Sequence, residues 1–272
     1  MRDRHNSEFL ILPRPRAIGH RGSAGTHPEN TLVSFQAAVD CGARYLELDV
    51  HMTRDGEIVV SHDEELSRAC GRDAAIRHLS YAELASADAG HTFTPDERSY
   101  PFRGRGIAVP LLADVFAAFP AIRVVVEVKQ TEPSLVAPML QVIDRAGMRE
   151  MVMVASEHQK PLDEIRALAP GIPTNFCYGE VAGFLQAMVA KSGDYAPPAQ
   201  ALQIPPVYES WQMVTAESVG FAHQLGVEVH VWTVNDAVEM NRLLDLGVDG
   251  IISDYPARLI GVIESRAQRA QR

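Results

Sequence analysis

Short runs of apolar and β-branched residues recur along the chain, separated by stretches with the 3.6-residue repeat of an amphipathic helix. Nine runs read as strands: 16–20, 44–50, 57–62, 123–129, 151–155, 172–177, 201–204, 228–232 and 250–253. Only residues 51–56, with Asp55-Gly56, join the second to the third. A parallel crossover needs about a dozen residues, so this pair is expected to be antiparallel. With 57–62 taken as the return arm of that hairpin, eight strands remain, each followed by a helix candidate such as 31–41, 134–146, 215–224 or 237–246. Eight β/α units in one chain predict an α/β fold, a TIM (β/α)8 barrel. In the first helix Leu32, Phe35, Ala38 and Val39 share a face, with Asn30 available as N-cap. Gly42, Gly147, Gly226 and Gly247 stand at helix ends, where a left-handed cap suits glycine.

The stretch 63–106 breaks the alternation. It contains Gly71, Gly90, Pro95, Pro101, Gly104 and Gly106 and is too polar for barrel core. It is expected to be a small insertion over the barrel mouth, after the second barrel strand, within a single catalytic domain of residues 1–272.

Composition narrows the class. A length of 272 residues suits one such barrel, and 46% hydrophobic with 22% charged residues fits a soluble globular protein. The net charge of −10 argues against nucleic acid or anionic membrane as the main partner, and leaves room for a small anionic ligand held by local cations or a metal. Homo-oligomerisation stays open. Cys41, Cys70 and Cys177 are odd in number and far apart, so a reducing compartment is expected. The apolar run from Phe9 to Leu12 is shorter than a signal-peptide core and no stretch is long enough to span a bilayer, so a cytoplasmic protein without stable membrane insertion is expected. The tail after Glu264, with Arg266, Arg269 and Arg272, reads as a solvated helix end.

In a TIM barrel the chemistry lies at the C-terminal ends of the strands. Here those ends hold His20-Arg21-Gly22, Glu47 and Asp49, His62-Asp63, and Glu127 and Lys129. Strand alternation places Glu47 and Asp49 on one face, and Glu127 and Lys129 likewise. Three converging carboxylates repel: at ~4 Å and an effective dielectric near 20, each pair costs about 4 kcal/mol. A cation must compensate, and an all-oxygen set suits Mg2+ or Ca2+ better than zinc. Structural pairing of these acids with Arg44, Arg123 or Lys129 is the alternative. His20 and His62 each end an apolar strand beside a charged residue, which suits general acid/base work. Trp232 is expected to wall the pocket. Gln203 and Asn235 are further pocket candidates, with helix capping the competing role for Asn235.

These residues fall in a pattern that resembles the glycerophosphodiester phosphodiesterases. It runs through His20-Arg21-Gly22, Pro28-Glu29-Asn30-Thr31, Glu47-Leu48-Asp49-Val50, Thr53-x-Asp55-Gly56 and His62-Asp63. It continues in Glu127-x-Lys129, Trp232-Thr233-Val234-Asn235 and Asp249-Gly250-Ile251-Ile252-Ser253-Asp254. The chain departs from that pattern at Pro110-Leu111-Leu112-Ala113-Asp114 and at Ser253, where threonine or acidic residues are common. The resemblance implies a TIM barrel with a small insertion, Glu47, Asp49 and Glu127 as metal ligands, His20 and His62 as the catalytic pair, and Arg21 and Lys129 as phosphate contacts. The implied reaction is metal-dependent hydrolysis of a glycerophosphodiester, such as glycerophosphocholine or glycerophosphoethanolamine, to glycerol 3-phosphate and an alcohol. The alternatives are a lysophospholipase D-like enzyme, with Phe93, Tyr100 and Phe102 available to line an acyl channel, and a non-catalytic barrel that binds phosphorylated ligands.

Overall fold

The computed structural model describes residues 8–270; Met1, Arg272 and the other terminal residues lie outside them. The chain opens on β1 (Arg16–Gly19), α1 (Leu32–Asp40) and β2 (Tyr45–Met52). Next come β3 (Ile58–Val60), α2 (Ser67–Cys70), α3 (Tyr81–Leu84), α4 (Leu112–Ala118), β4 (Arg123–Val128) and α5 (Val136–Arg145). The second half holds β5 (Val152–Ala155), α6 (Gln159–Leu168), α7 (Tyr178–Ala190), β6 (Ala201–Ile204), β7 (Val207–Tyr208) and β8 (Trp211–Gln212). It ends with α8 (Ala216–Gln224), β9 (Glu228–Val231), α9 (Ala237–Asp245), β10 (Gly250–Ser253) and α10 (Pro256–Ala270).

Parallel pairing runs β5-β4-β2-β1-β10-β9-β6. β3 returns antiparallel on β2, with His51 opposite Val59, as the short connection requires. The expected strand 172–177 is reduced to two parallel bridges, Val154 to Thr174 and Asn175 to Ala201. Pro173 has no N–H to donate, and side chains take over part of the ladder: the Ser156 N–H donates to Asn175 Oδ1 at 3.0 Å and the Thr174 N–H to Gln200 Oε1 at 3.0 Å. This segment sits between β5 and β6 and closes the barrel, and each of the eight staves is followed by a helix of the outer ring.

Alternation divides the strands. Leu46, Leu48, Val50, Val124, Val126 and Val128 turn outward onto the helices, with Phe35, Phe116 and Met139. Ile18, Tyr45, Val125, Met153 and Ile252 turn inward and fill the barrel floor. Phe9 is fully buried there, edge-on to Tyr45 at 5.3 Å, so the apolar run near the N-terminus plugs the barrel's lower end. Between β3 and α4, residues 63–106 carry α2, α3 and loops, yet Leu66, Cys70, Ile76 and Leu84 form a small core of their own with Val59. Phe93 and Phe102 meet edge to face at 5.4 Å within this segment.

Two capping details differ from the sequence pattern. α1 is capped by Thr31, whose hydroxyl accepts from the Ser34 N–H, and not by Asn30. α9 is capped by Asp236, which frees Asn235 for another partner. Arg266 and Arg269 lie on α10, Arg266 tied to Asp245. Among the described residues no helix is long and apolar enough to cross a membrane.

Candidate active site

β2 and β4 set the site by register. Asp49 lies directly opposite Glu127, and Glu47 shares the inward face of β2 with Asp49. One oxygen from each of Glu47, Asp49 and Glu127 comes within 4.8 Å of the other two. Glu47 and Asp49 are buried. Burial first, and Asp49 second, push the Glu47 and Glu127 carboxyls well above the ordinary range. Burial would raise Asp49 too, but Arg21 and Lys129 outweigh it and hold that group down. Lys129 Nζ stands 2.7 Å from Glu127 Oε1 and 3.4 Å from Asp49 Oδ1. Asn30 is committed here as well: its Nδ2 donates to Asp49 Oδ2 at 2.8 Å.

The turn after β1 contributes the next groups. Arg21 and Gly22 both take positive φ, at 49° and 90°. A Cβ on Gly22 would fall 2.5 Å from Ser34 Oγ, so only glycine fits against α1. In this conformation the Arg21 amide donates to Glu47 Oε2 at 3.0 Å. Its guanidinium pairs with Glu29 at 2.9 Å, and Arg68 from α2 binds the same carboxylate through two nitrogens. Arg21 Nε is buried without a hydrogen-bond partner.

The two histidines are held alike. His20 Nδ1 is 2.6 Å from Asp254 Oδ1, and Asn235 Nδ2 donates to the other oxygen of Asp254 at 2.6 Å. His62 Nδ1 is 2.6 Å from Asp63 Oδ1, and Arg68 grips the second Asp63 oxygen. Each carboxylate fixes a tautomer and leaves Nε2 as the exchangeable nitrogen. Burial alone would lower the His20 pKa, but the Asp254 bond and the Glu47 charge outweigh it and raise it.

All of these meet in a cavity of about 500 Å³ at the C-terminal ends of the strands, lined by His20, Arg21, Glu47, His62, Glu127 and Lys129. Gln203 and Trp232 line it too, so of the site residues expected from the sequence only Asp49, buried in the carboxylate cluster, and the pocket candidate Asn235, which holds Asp254, do not line its wall. Gln203 is also tied to His230 at 3.4 Å. Phe93, Tyr100 and Phe102 do not line the cavity; its apolar wall comes from α7 and the β7–β8 hairpin. The sequence reading passed over Asp254 and Asn30 as site residues. Asp254 follows the last barrel strand directly, the same signal that marked His20.

The model of the Glycerophosphoryl diester phosphodiesterase family matches residues 20–258. A glycerophosphodiester phosphodiesterase of Bacillus altitudinis is 28% identical over 255 residues, 92% of this chain and 98% of the relative. Human lysophospholipase D GDPD1 is 29% identical over 288 residues, covering 93% and 91%. Among solved structures, a phosphodiesterase of Oleispira antarctica in complex with the product sn-glycerol-3-phosphate superposes with a TM-score of 0.76 at 25% identity, covering 92% of this chain and 97% of the other.

Proposed function

Because this chain belongs to the glycerophosphoryl diester phosphodiesterase family and is an enzyme of that type, we propose that it hydrolyses glycerophosphodiesters to glycerol 3-phosphate and an alcohol with His20 and His62 as the proton carriers. The observation that carries this reading is the pair of Asp-anchored histidines at one cavity with three converging carboxylates.

The carboxylate cluster fits a divalent cation. Its donors are all oxygen, which suits Mg2+ or Ca2+, and Glu47, Asp49 and Glu127 are the residues that would hold it. Such an ion, when bound, supplies positive charge to a phosphoryl oxygen and lowers the pKa of an oxygen it ligates. The protein's own cations add to this. Arg21 Nε, which lacks a hydrogen-bond partner and stands 3.3 Å from Asp49 Oδ2, and the Lys129 ammonium are donors for the phosphoryl oxygens as negative charge builds on them.

The histidines divide the proton work. One takes the proton of the attacking oxygen, and the other protonates the leaving alkoxide as its bond to phosphorus breaks. The substrate's own 2-hydroxyl is the nucleophile that gains most from position, since it attacks within the molecule. A five-membered cyclic phosphate forms and the alcohol leaves. Water then opens the ring with the histidine roles reversed, and the 2-hydroxyl is restored.

Assaying alcohol and glycerol 3-phosphate release across glycerophosphodiesters tests the reading. Glycerophosphocholine or glycerophosphoethanolamine is expected to turn over, while a 2-deoxy analogue binds similarly and reacts at least about a hundredfold more slowly. Equal turnover of analogue and parent would leave direct water attack as the route, and no turnover of any diester would overturn the function.

Asp254 acts through His20. Asp254→Asn removes the charge that raises the His20 pKa, so the His20 titration followed by NMR should move downward while kcat falls about tenfold or more and KM changes little. An unmoved His20 titration would limit Asp254 to a structural contact.

A further inference from the structure

The segment 63–106 reaches the site through one side chain. Leu66 and Cys70 stand four residues apart and are buried in that segment's own core. Arg68, midway between them, leaves α2 on the other side, where its guanidinium meets two carboxylates. Nη1 and Nη2 donate to the two oxygens of Glu29 at 2.8 and 2.6 Å, and Nε donates to Asp63 Oδ2. Glu29 is also the partner of Arg21, and Asp63 the partner of His62. A half-exposed arginine on a single carboxylate is worth little. Here a bidentate pair sits inside a chain that runs Arg21, Glu29, Arg68, Asp63, His62. Burial would raise the Glu29 carboxyl, yet the Arg68 bonds and the Arg21 charge hold it down at about 2. Burial would raise Asp63 as well, and Arg68, ahead of His62, outweighs it. Arg68 does not line the cavity. Nor does its guanidinium fasten α2 in place, since the Thr92 hydroxyl donates to the backbone carbonyls of Arg68 and Ala69 at 2.7 and 2.8 Å.

We propose that Arg68 is a positioning residue with two separate arms, one setting Arg21 for the phosphate and the other setting His62 for proton transfer. The inference rests on the phosphodiesterase reading of the cavity. Through the first arm Arg68 takes up much of the Glu29 charge. Without it that charge falls on Arg21 alone and competes with the anionic substrate for the guanidinium. Through the second arm Arg68 holds one oxygen of Asp63 while the other faces His62 Nδ1. Asn235 performs the same task for Asp254 at His20. Released by Arg68, Asp63 is free to turn away from the ring, and the histidine loses the partner that fixes its tautomer. The Glu29 arm therefore acts on binding and the Asp63 arm on turnover.

The test measures kcat and KM for glycerophosphocholine by choline release, with Mg2+ or Ca2+ supplied. It compares the unaltered protein with Arg68→Ala, Glu29→Ala, Asp63→Ala and the two double variants that combine Arg68→Ala with each of the others. Arg68→Ala should lower kcat about tenfold and raise KM about tenfold, a usual size for coupling within one charged network. On the Glu29→Ala background the KM effect of Arg68→Ala should vanish while kcat still falls. On the Asp63→Ala background the kcat effect should vanish while KM still rises. KM does not depend on how much of a preparation is folded, so a poorly folded variant does not imitate this split. If Arg68→Ala leaves both constants within about twofold of the unaltered protein, the proposal is overturned. An equal loss of kcat on every background with KM unmoved also overturns it, and reduces Arg68 to an anchor for the segment 63–106. No turnover of any diester by the unaltered protein overturns the phosphodiesterase reading and this proposal with it.

Discussion

Replacing either cavity histidine should cut turnover by about 10²–10⁴-fold while leaving the barrel folded, because each removes a proton carrier and no packing element. His20 and His62 both keep part of their side chains exposed to the cavity. Neither belongs to the apolar clusters that fill the barrel floor and the helix layer. The loss should fall on kcat, with KM nearly unchanged, since in the proposed reading the diester would be held by Arg21, Lys129 and a cation at the carboxylate cluster, and not by the histidines. The two substitutions should not multiply. When both groups act in one transition state, the double His20→Ala/His62→Ala variant should be about as slow as the slower single one. Circular dichroism and the melting temperature provide the control for folding. A variant with near-normal turnover would reduce its histidine to a lining residue.

Removing divalent metal should take turnover to background, and adding Mg2+ or Ca2+ should restore it. The physical reason is the convergence of Glu47, Asp49 and Glu127, with one oxygen of each within 4.8 Å of the others. Lys129 and Arg21 offset part of that repulsion, pairing with Asp49 and Glu127, while Glu47 accepts from the Arg21 amide and stands 3.9 Å from His20 Nε2, yet its carboxyl is still pushed well above the ordinary range. Calorimetric titration reads the site without turnover. Asp49→Asn should weaken metal binding by about a hundredfold, since loss of an outer partner alone commonly costs about 10–100-fold. In the unaltered protein, cation at about 100 times its Kd should add about 2.7 kcal/mol of stability, visible as a higher Tm. Full activity after exhaustive chelation would remove the metal from the reaction. Restoration by zinc alone, with Mg2+ and Ca2+ inert, would overturn the hard-cation assignment.

Much of this site is readable in the chain because it depends on strand period. Glu47 and Asp49 differ by two residues, so any strand there points both the same way, and Leu46, Leu48 and Val50 between and beside them show which face is buried against helices. The antiparallel return of β3 followed from the length of its connection. His20, Arg21, His62 and Lys129 followed from their places at strand ends, where the fold puts its chemistry.

Other features depend on which distant segments become neighbours. His20 and Asp254 are 234 residues apart and meet because β1 pairs with β10, Gly19 opposite Ser253. Asn30 reads locally as a helix cap, but Thr31 caps α1 and the turn with positive φ at Asn30 lets its amide reach Asp49. Asn235 likewise cedes the cap to Asp236 and secures Asp254. The aromatic residues of 63–106 suggested an apolar channel, whereas that wall is made by α7 and the β7–β8 hairpin. The sequence by itself determined the β/α repeat, the inward carboxylates and the strand-end histidines, because periodicity and connection length act within a few residues. Only the tertiary structure decided the partners of those histidines, the segment that closes the barrel and the apolar side of the cavity, because register and closure bring together residues whose separation along the chain carries no local signal.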